Sequence, residues 1–364
     1  MEARPMRPGY RTYGGAMYLT DDLKHVTKIV LQGTAYTPSD PEFAGALYVF
    51  RSGGVYEAVG GPHTVHAHYL DAALVTTCIR EMDADHPFRR LLSPFTIASL
   101  AVTFGANLSI ANDGAILERF GGFQPEGVKM MVREWTKRWR MESFADQLKR
   151  KGTAGLSAEA YPYGHFAEKL SYIFDKLADD YMDEYWPTDK DVAADAGLQA
   201  FFKSYHDLFP KKTCPNPPPP TCATRATLRS MTSRFMFAVT AQHEQTGNTA
   251  DSLLAYDAGF VSVPAHGSLK DLASLQPSKQ QRVAVQYIQG LTSKHAPSLY
   301  QADPKDFQRF LLPDCDPSIL KRYMARLWRL HTEVSGFKVA HGIELRPMSA
   351  PALDPIDLKI AVTV

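Results

Sequence analysis

From about Val55 onward the apolar residues of this chain return at helical intervals, and one stretch, residues 96–112 (TIASLAVTFGANLSIAN), is apolar on most of its faces. A helix of that kind is stable in water only when other elements enclose it. The segment therefore predicts a mainly α fold with one helix buried on all sides. The chain has 364 residues, 45% of them hydrophobic, which is enough to build a substantial core around such a helix.

The flanking segments fill in that picture. Residues 1–45 are rich in Gly, Pro and Thr with one short apolar run, KIVLQG, and read as an irregular arm with a strand or two. The segment PEGVKMMVREWTKRWRMESFADQLKRK puts a proline in a first turn and is amphipathic. Residues 166–184 and 190–206 are two further amphipathic helices, separated by YWPT. The run TCPNPPPPTC, 213–222, breaks any helix and reads as an exposed polyproline connector. After it, ATLRSMTSRFMFAVTAQHEQTGN is again an apolar helix, and a loop-rich region at 258–278 precedes helices near 279–293 and 305–334. The tail ends in the strand-like DLKIAVTV, with no charge after Lys359, and is expected to run inward. No internal repeat is present, and 1–364 reads as a single domain.

Charge and motifs exclude several function classes. Lys+Arg is 40 and Asp+Glu 39, a net charge of +1, so no global field gathers nucleic acid or an anionic membrane. The start, MEARPMRPGYRTYGG, has no apolar core of a secretory signal, and no run reaches the roughly 18 apolar residues of a transmembrane helix. A cytoplasmic location with four free thiols (Cys78, Cys214, Cys222, Cys315) is expected. No GxGxxG, Walker or zinc-ribbon pattern occurs, nor a nucleophile triad or paired-carboxylate motif.

Three histidines do cluster, in GGPHTVHAHYLDA: His63, His66 and His68. On a regular α-helix the five-residue step from His63 to His68 turns through roughly 140°, a poor arrangement for one metal. On a π-turn the same step closes to roughly 50°. His63 and His68 are thus a chelate only where the helix is widened; otherwise the trio is a surface cluster. His66 points from another face and is not expected to bind. A further histidine, His243, sits in AQHEQTGN on the later apolar helix.

Eighteen residues after His68 comes HPFRRLLSPFT (86–96), then NDGAILE, YPYGHFAEKL, DEYWPTDKDVAADAGLQAFFKSY and AQHEQTGN. This order resembles the lipoxygenase family. Its catalytic domain carries HWLxTH, HPxxKLLxPH at the same separation, a helix ending near N-x-G-I-x-E, YPYxxDG, Y-Y-P-T-D-x-D-V-x-x-D-x-E-L-Q-x-W-W and AQHAAVNFGQ. The resemblance runs from about residue 30 to the end and is most specific in DEYWPTDKDVAADAGLQAFFK.

The resemblance implies a lipoxygenase-like helical catalytic domain around a buried, metal-bearing helix pair, with no amino-terminal β-sandwich. It makes His63, His68 and His243 ligands of one non-haem iron, manganese being an alternative. The carboxylate of Val364 stands where the family ends in an iron-binding Ile. An α-carboxyl with a pKa of about 3.5 is ionised at neutral pH, and such nitrogen and oxygen ligands suit iron. The family's Asn lies four residues after the third His. Here Gly247 takes that place and Asn248 follows, so either a bulge lets Asn248 reach the metal or water fills the position. Phe95 replaces the last His of HPxxKLLxPH. Ala106 falls where the family has the small residue that directs oxygen, and Ile110 and Leu117 where apolar residues bracket the diene. Read from pattern alone, the three are ordinary core.

The implied activity is dioxygenation. A hydrogen atom leaves the doubly allylic carbon of a cis,cis-1,4-diene, O2 traps the radical, and a hydroperoxide forms. The expected substrate is a polyunsaturated fatty acid or related lipid. Two alternatives stand: an iron oxygenase or isomerase acting on a non-fatty-acid alkene in a specialised pathway, and a degenerate, non-catalytic scaffold for an apolar ligand.

Overall fold

The amino-terminal arm forms a three-stranded antiparallel sheet in sequence order: β1 (Ala16–Leu19), β2 (Val26–Leu31) and β3 (Thr34–Tyr36). Met17 pairs with Ile29 and Val30 with Ala35. Gln32 and Gly33, at φ +49° and +85°, close the tight β2–β3 turn, which needs left-handed residues to match the strand twist. On β2, Ile29 and Leu31 are buried, as alternation in a half-covered strand requires. The structure, a computed structural model, describes residues 4–119, 121–209, 214–247, 263–276, 297–300, 305–309, 315–341 and 353–361.

The rest of the described chain is helical. A continuous run begins with α1 (Phe43–Ala58), widens into a π-helix over Val59–Leu70 and returns to α2 (Asp71–Glu81). It starts before Val55 because α1 buries Gly45, Ser52 and Gly53 beside its apolar residues, which dilutes the periodic signal. Then come α3 (Pro87–Leu92), α4 (Ser99–Ala106) with a π extension over Asn107–Ala111, and α5 (Ile116–Arg119). The segment read as one amphipathic stretch from Pro125 is two helices, α6 (Pro125–Arg138) and α7 (Phe144–Lys151), with Ser143 capping the second through the Asp146 amide. α8 (Pro162–Tyr185) is followed by α9 (Asp189–Ala194) and α10 (Ala196–Asp207).

The expected helix at 190–206 breaks at Asp195, whose carboxylate caps α10 through the Leu198 amide at 2.9 Å. The same carboxylate accepts from Trp186 Nε1 at 2.8 Å and lies 3.2 Å from His86 Nε2. Burial alone would raise its pKa; these hydrogen bonds hold it down to about 2. One aspartate thereby fixes α10 against the start of α3. A capping box at Thr188 and Asp191 starts α9.

After the proline run, α11 (Arg225–Phe237) passes through a π-turn at Ala238–Gln242 into α12 (His243–Gly247). The proline run is less exposed than its composition suggests: Pro218 is buried, and its carbonyl pairs with His206 Nδ1 at 2.6 Å. Cys214 and Cys222 are separate buried thiols. Later come the short α13 (Leu272–Leu275) and α14 (Lys305–Gln308), then the long α15 (Pro317–Ala340), which starts afresh at the Asp316 cap instead of continuing from α14. The helix expected near 279–293 lies outside the described residues. The tail does run inward, with Leu358, Ile360 and Ala361 buried, but its strand character is one bridge, Lys359 to Ser298. The larger apolar core gathers α2, α3, α8, α10, α11 and α15, and the smaller lies beneath the sheet, α1 and α6.

One expectation fails here. Residues 99–111 are helical but not enclosed: Leu100, Phe104 and Leu108 face outward, Phe104 with 66% of its surface exposed. The helix lies on the flank of α2 and the π-run, so only one of its apolar faces meets the body.

Candidate metal centre

Two adjacent glycines open the histidine segment, and their role is steric. A Cβ on Gly60 would stand 2.3 Å from Met131 Sδ, and one on Gly61 2.1 Å from the Trp135 ring. Without side chains at these positions, α6 lies directly on the π-run. Pro62 follows and lacks an amide hydrogen, which removes one donor from a regular helical ladder. Thr64 Oγ1 donates to the Val59 carbonyl five residues back at 2.6 Å. The wider turn brings His63 and His68 onto one side, as the five-residue spacing requires for a chelate. The π-turn at Ala238–Gln242 delivers His243 to the same point, and Gln242 Nε2 donates to the Pro62 carbonyl at 2.9 Å, tying the two helices together.

The three imidazoles converge through Nε2. The separations are 3.1 Å for His63–His243, 3.1 Å for His63–His68 and 3.2 Å for His68–His243, and all three residues are buried. Among the described residues they are the one group of histidine, cysteine or carboxylate side chains placed to share a cation. Three such nitrogens cannot satisfy one another, because at most two edges of the triangle can each match an N–H with a lone pair. A central cation uses all three lone pairs. Nitrogens ~2.1 Å from a common ion sit ~3.0 Å apart at right angles and ~3.4 Å apart at tetrahedral angles, and the observed spacing lies between. Burial drives the His63 and His68 imidazoles well below their usual pKa, and the neighbouring rings push the same way. The two rings are therefore neutral at physiological pH, the form that binds metal.

The surroundings differ from ring to ring. His68 Nδ1 lies 3.5 Å from Thr103 Oγ1 on α4, and His243 Nδ1 lies 3.4 Å from Glu244 Oε1, whereas His63 Nδ1 is buried without a partner. His66 is turned away, with its Nε2 2.9 Å from the Trp135 carbonyl oxygen. Burial pushes its pKa down to about 4. It takes no part in the cluster, as expected.

The remaining expected residues divide. Ala106 and Leu117 are buried in one apolar cluster with Val55 and Val59, just upstream of His63. Ile110 lies in the π extension of α4, but its side chain is outside the described residues, as are Asn248 and Val364 entirely. Gly247 ends α12. Phe95 is fully buried against Phe174 and Phe307. Gly60, Gly61 and Gln242 went unnoticed in the sequence; the signal for the first two was a glycine pair directly before a helical proline.

The family model described as Lipoxygenase matches residues 24–250, a span that contains all three converging histidines. This chain belongs to the lipoxygenase family. Linoleate 9S-lipoxygenase 2 of Oryza sativa subsp. japonica is 25% identical over 206 residues, covering 50% of this chain and 23% of the rice protein. Among solved structures, a coral 8R-lipoxygenase superposes with a TM-score of 0.83 at 14% identity, covering 98% of this chain and 57% of that one. A calcium-dependent 11R-lipoxygenase gives 0.81 at 16% identity, over 96% and 54%. The fold is thus a lipoxygenase fold, although this chain spans little more than half of those chains and about a quarter of the rice relative. Among its described residues no helix is long and apolar enough to cross a membrane.

Proposed function

We propose that this member of the lipoxygenase family is a non-haem iron dioxygenase that inserts O2 into a cis,cis-1,4-diene of a polyunsaturated fatty acid or related lipid, giving a hydroperoxide. The observation that carries the proposal is the meeting of three buried Nε2 atoms within 3.2 Å, on two helices that both widen to π geometry at that point. His63, His68 and His243 would hold the iron. Asn248 or water, and the carboxylate of Val364, are proposed to complete the set. When bound, the iron would supply the one-electron chemistry needed to remove a hydrogen atom from the doubly allylic carbon.

The chain's own part is placement and exclusion. Burial around the histidines keeps bulk water from the reacting carbon. Ala106, Ile110 and Leu117 are proposed to border the diene, with the bare methyl of Ala106 leaving room on one side for O2. The link from Thr103 to His68, and that from the Tyr69 hydroxyl to Asn107 Oδ1 at 2.8 Å, hold α4 and its π extension against the histidine helix. No protein acid or base is needed for hydrogen-atom removal, in keeping with the neutral His63 and His68 imidazoles.

The test is metal content by elemental mass spectrometry, followed by oxygen uptake with linoleate or arachidonate. We expect close to one iron per chain and a conjugated-diene product. No metal after anaerobic Fe(II) loading would leave the fold as a scaffold for an apolar ligand. Metal without turnover of either acid would direct the search to other alkenes.

A further inference from the structure

Beside the two histidine-bearing helices, where Pro62 and Gln242 line it, lies a half-open cavity of about 510 Å³. Among the described residues that line it are six cations: Lys137, Arg138, Arg140, Arg150, Lys151 and Arg234. Among those described residues Glu142 is the one carboxylate, and it is engaged by Arg150 at 2.5 Å. An excess of this size is not a sample of the whole surface, since the entire chain carries a net charge of only +1.

Arg234 sets this cavity apart from a solvated basic patch. It stands on α11, is 7% exposed, and its Nε and Nη1 are buried without a hydrogen-bond partner. Among the described residues it forms no ion pair. Asp71 is the acid whose charge acts on it most, but burial favours the neutral form of that carboxyl. A buried guanidinium with unused donors is costly unless something completes it, and the planar fork matches a carboxylate or phosphate. The walls also carry Trp135, Phe144, Tyr163 and Phe237, so the cavity offers apolar surface next to its charge. Arg138 lies over the Trp135 ring at 5.0 Å, which leaves the cavity basic at its rim as well as at its base.

We propose that this cavity is a second ligand site that takes an oxyanion, carboxylate or phosphate, with Arg234 as its buried anchor and the rim arginines and lysines as its attracting field. The ligand is either the acidic head of an amphiphile lying on the aromatic wall or a free anion. Its occupancy bears on the three-histidine cluster, because the Gln242–Pro62 hydrogen bond that joins its two helices forms part of the cavity wall.

Titration of the full chain by calorimetry tests this without reference to metal or turnover. The probes are decanoate, decyl phosphate, inorganic phosphate and, as the neutral control, decanol, each against the natural chain, Arg234→Met and Arg140→Gln. We expect at least one anion to bind, to lose tenfold or more in affinity with Arg234→Met, and to lose less with Arg140→Gln at the exposed rim. Decanol should not distinguish the natural chain from Arg234→Met. Tight binding of decanoate or decyl phosphate alone would identify an amphiphile's head; equal binding of inorganic phosphate would identify a free anion. The melting temperature of Arg234→Met should equal or exceed that of the natural chain, because an uncompensated buried charge is removed. A lower melting temperature, together with anion affinity unchanged in either variant, would make Arg234 structural and overturn the site.

Discussion

The helix that delivers His243 and the helix that carries Ala106 are both rich in apolar residues, yet they live in different surroundings. In α11 and its π-turn, Phe235, Met236 and Val239 are sealed, and the chain there is enclosed from Leu228 to His243 with few gaps. In α4 and its extension, Val102 and Ala106 are sealed, but Leu100, Phe104 and Leu108 face solvent. The difference lies in position. α11 packs along α8 and the π-turn that follows it meets the π-run, whereas α4 meets the body along one side. Apolar content therefore says what a helix can tolerate, and its neighbours decide what it buries. The histidine cluster belongs to the enclosed pair, where the rings are buried and fixed, and the residue expected to direct oxygen sits on the inner face of the half-covered helix.

The largest effect should come from the enclosed pair. His68→Ala should reduce bound metal from ~1 to well under 0.1 per chain by elemental analysis, while His66→Ala should keep it, since metal binding needs each of the convergent rings. Equal metal loss in both variants would mean that the cluster is not the binding site.

The same substitution on the two helices compares them directly. Phe235→Ala, inside α11, should cost ~3–5 kcal/mol in urea unfolding through a lost aromatic and a cavity. Phe104→Ala, on the exposed face of α4, should stay within ~0.5 kcal/mol. Similar costs would show that α4 is covered in solution.

Acidity probes the enclosed side in another way. The folded pKa of His66 is lowered to about 4 from 6.5. Above pH 6.5 both folded and unfolded chains hold it neutral, and its full contribution is present. As pH falls through 6.5 toward 4, the unfolded chain takes up a proton that the folded one refuses. Stability should drop by an amount on the order of 3 kcal/mol across that window. The difference in unfolding free energy between pH 7 and pH 4.5 should shrink in His66→Gln, and an unchanged difference would assign the titration elsewhere.

The subtlest change belongs to the inner face of α4. Ala106→Gly should destabilise the helix by only about 1 kcal/mol, yet change the ratio of product regioisomers or stereoisomers on chiral chromatography. An unaltered ratio would leave Ala106 as core alone.

Much of this architecture was legible in advance because it depends on local rules. The five-residue spacing of His63 and His68 demanded a widened helix if the two were to meet, and the π-run supplies one. Pro125 stands in a first turn, as its segment predicted. The breaks at 139–143 and at Asp195 were less visible, since each depends on a side chain capping a new helix against a distant partner.

By itself the sequence determined the mainly α fold, the lipoxygenase resemblance, the candidate histidines and the inward course of the tail, because periodicity, spacing and terminal apolarity act within one segment. Only the tertiary structure decided which apolar helix is enclosed, that Gly60 and Gly61 exist to admit Met131 and Trp135, and that Arg234 faces a basic cavity. Those facts depend on residues from separate segments meeting at van der Waals or hydrogen-bond distance, and no spacing along the chain encodes which segments will meet.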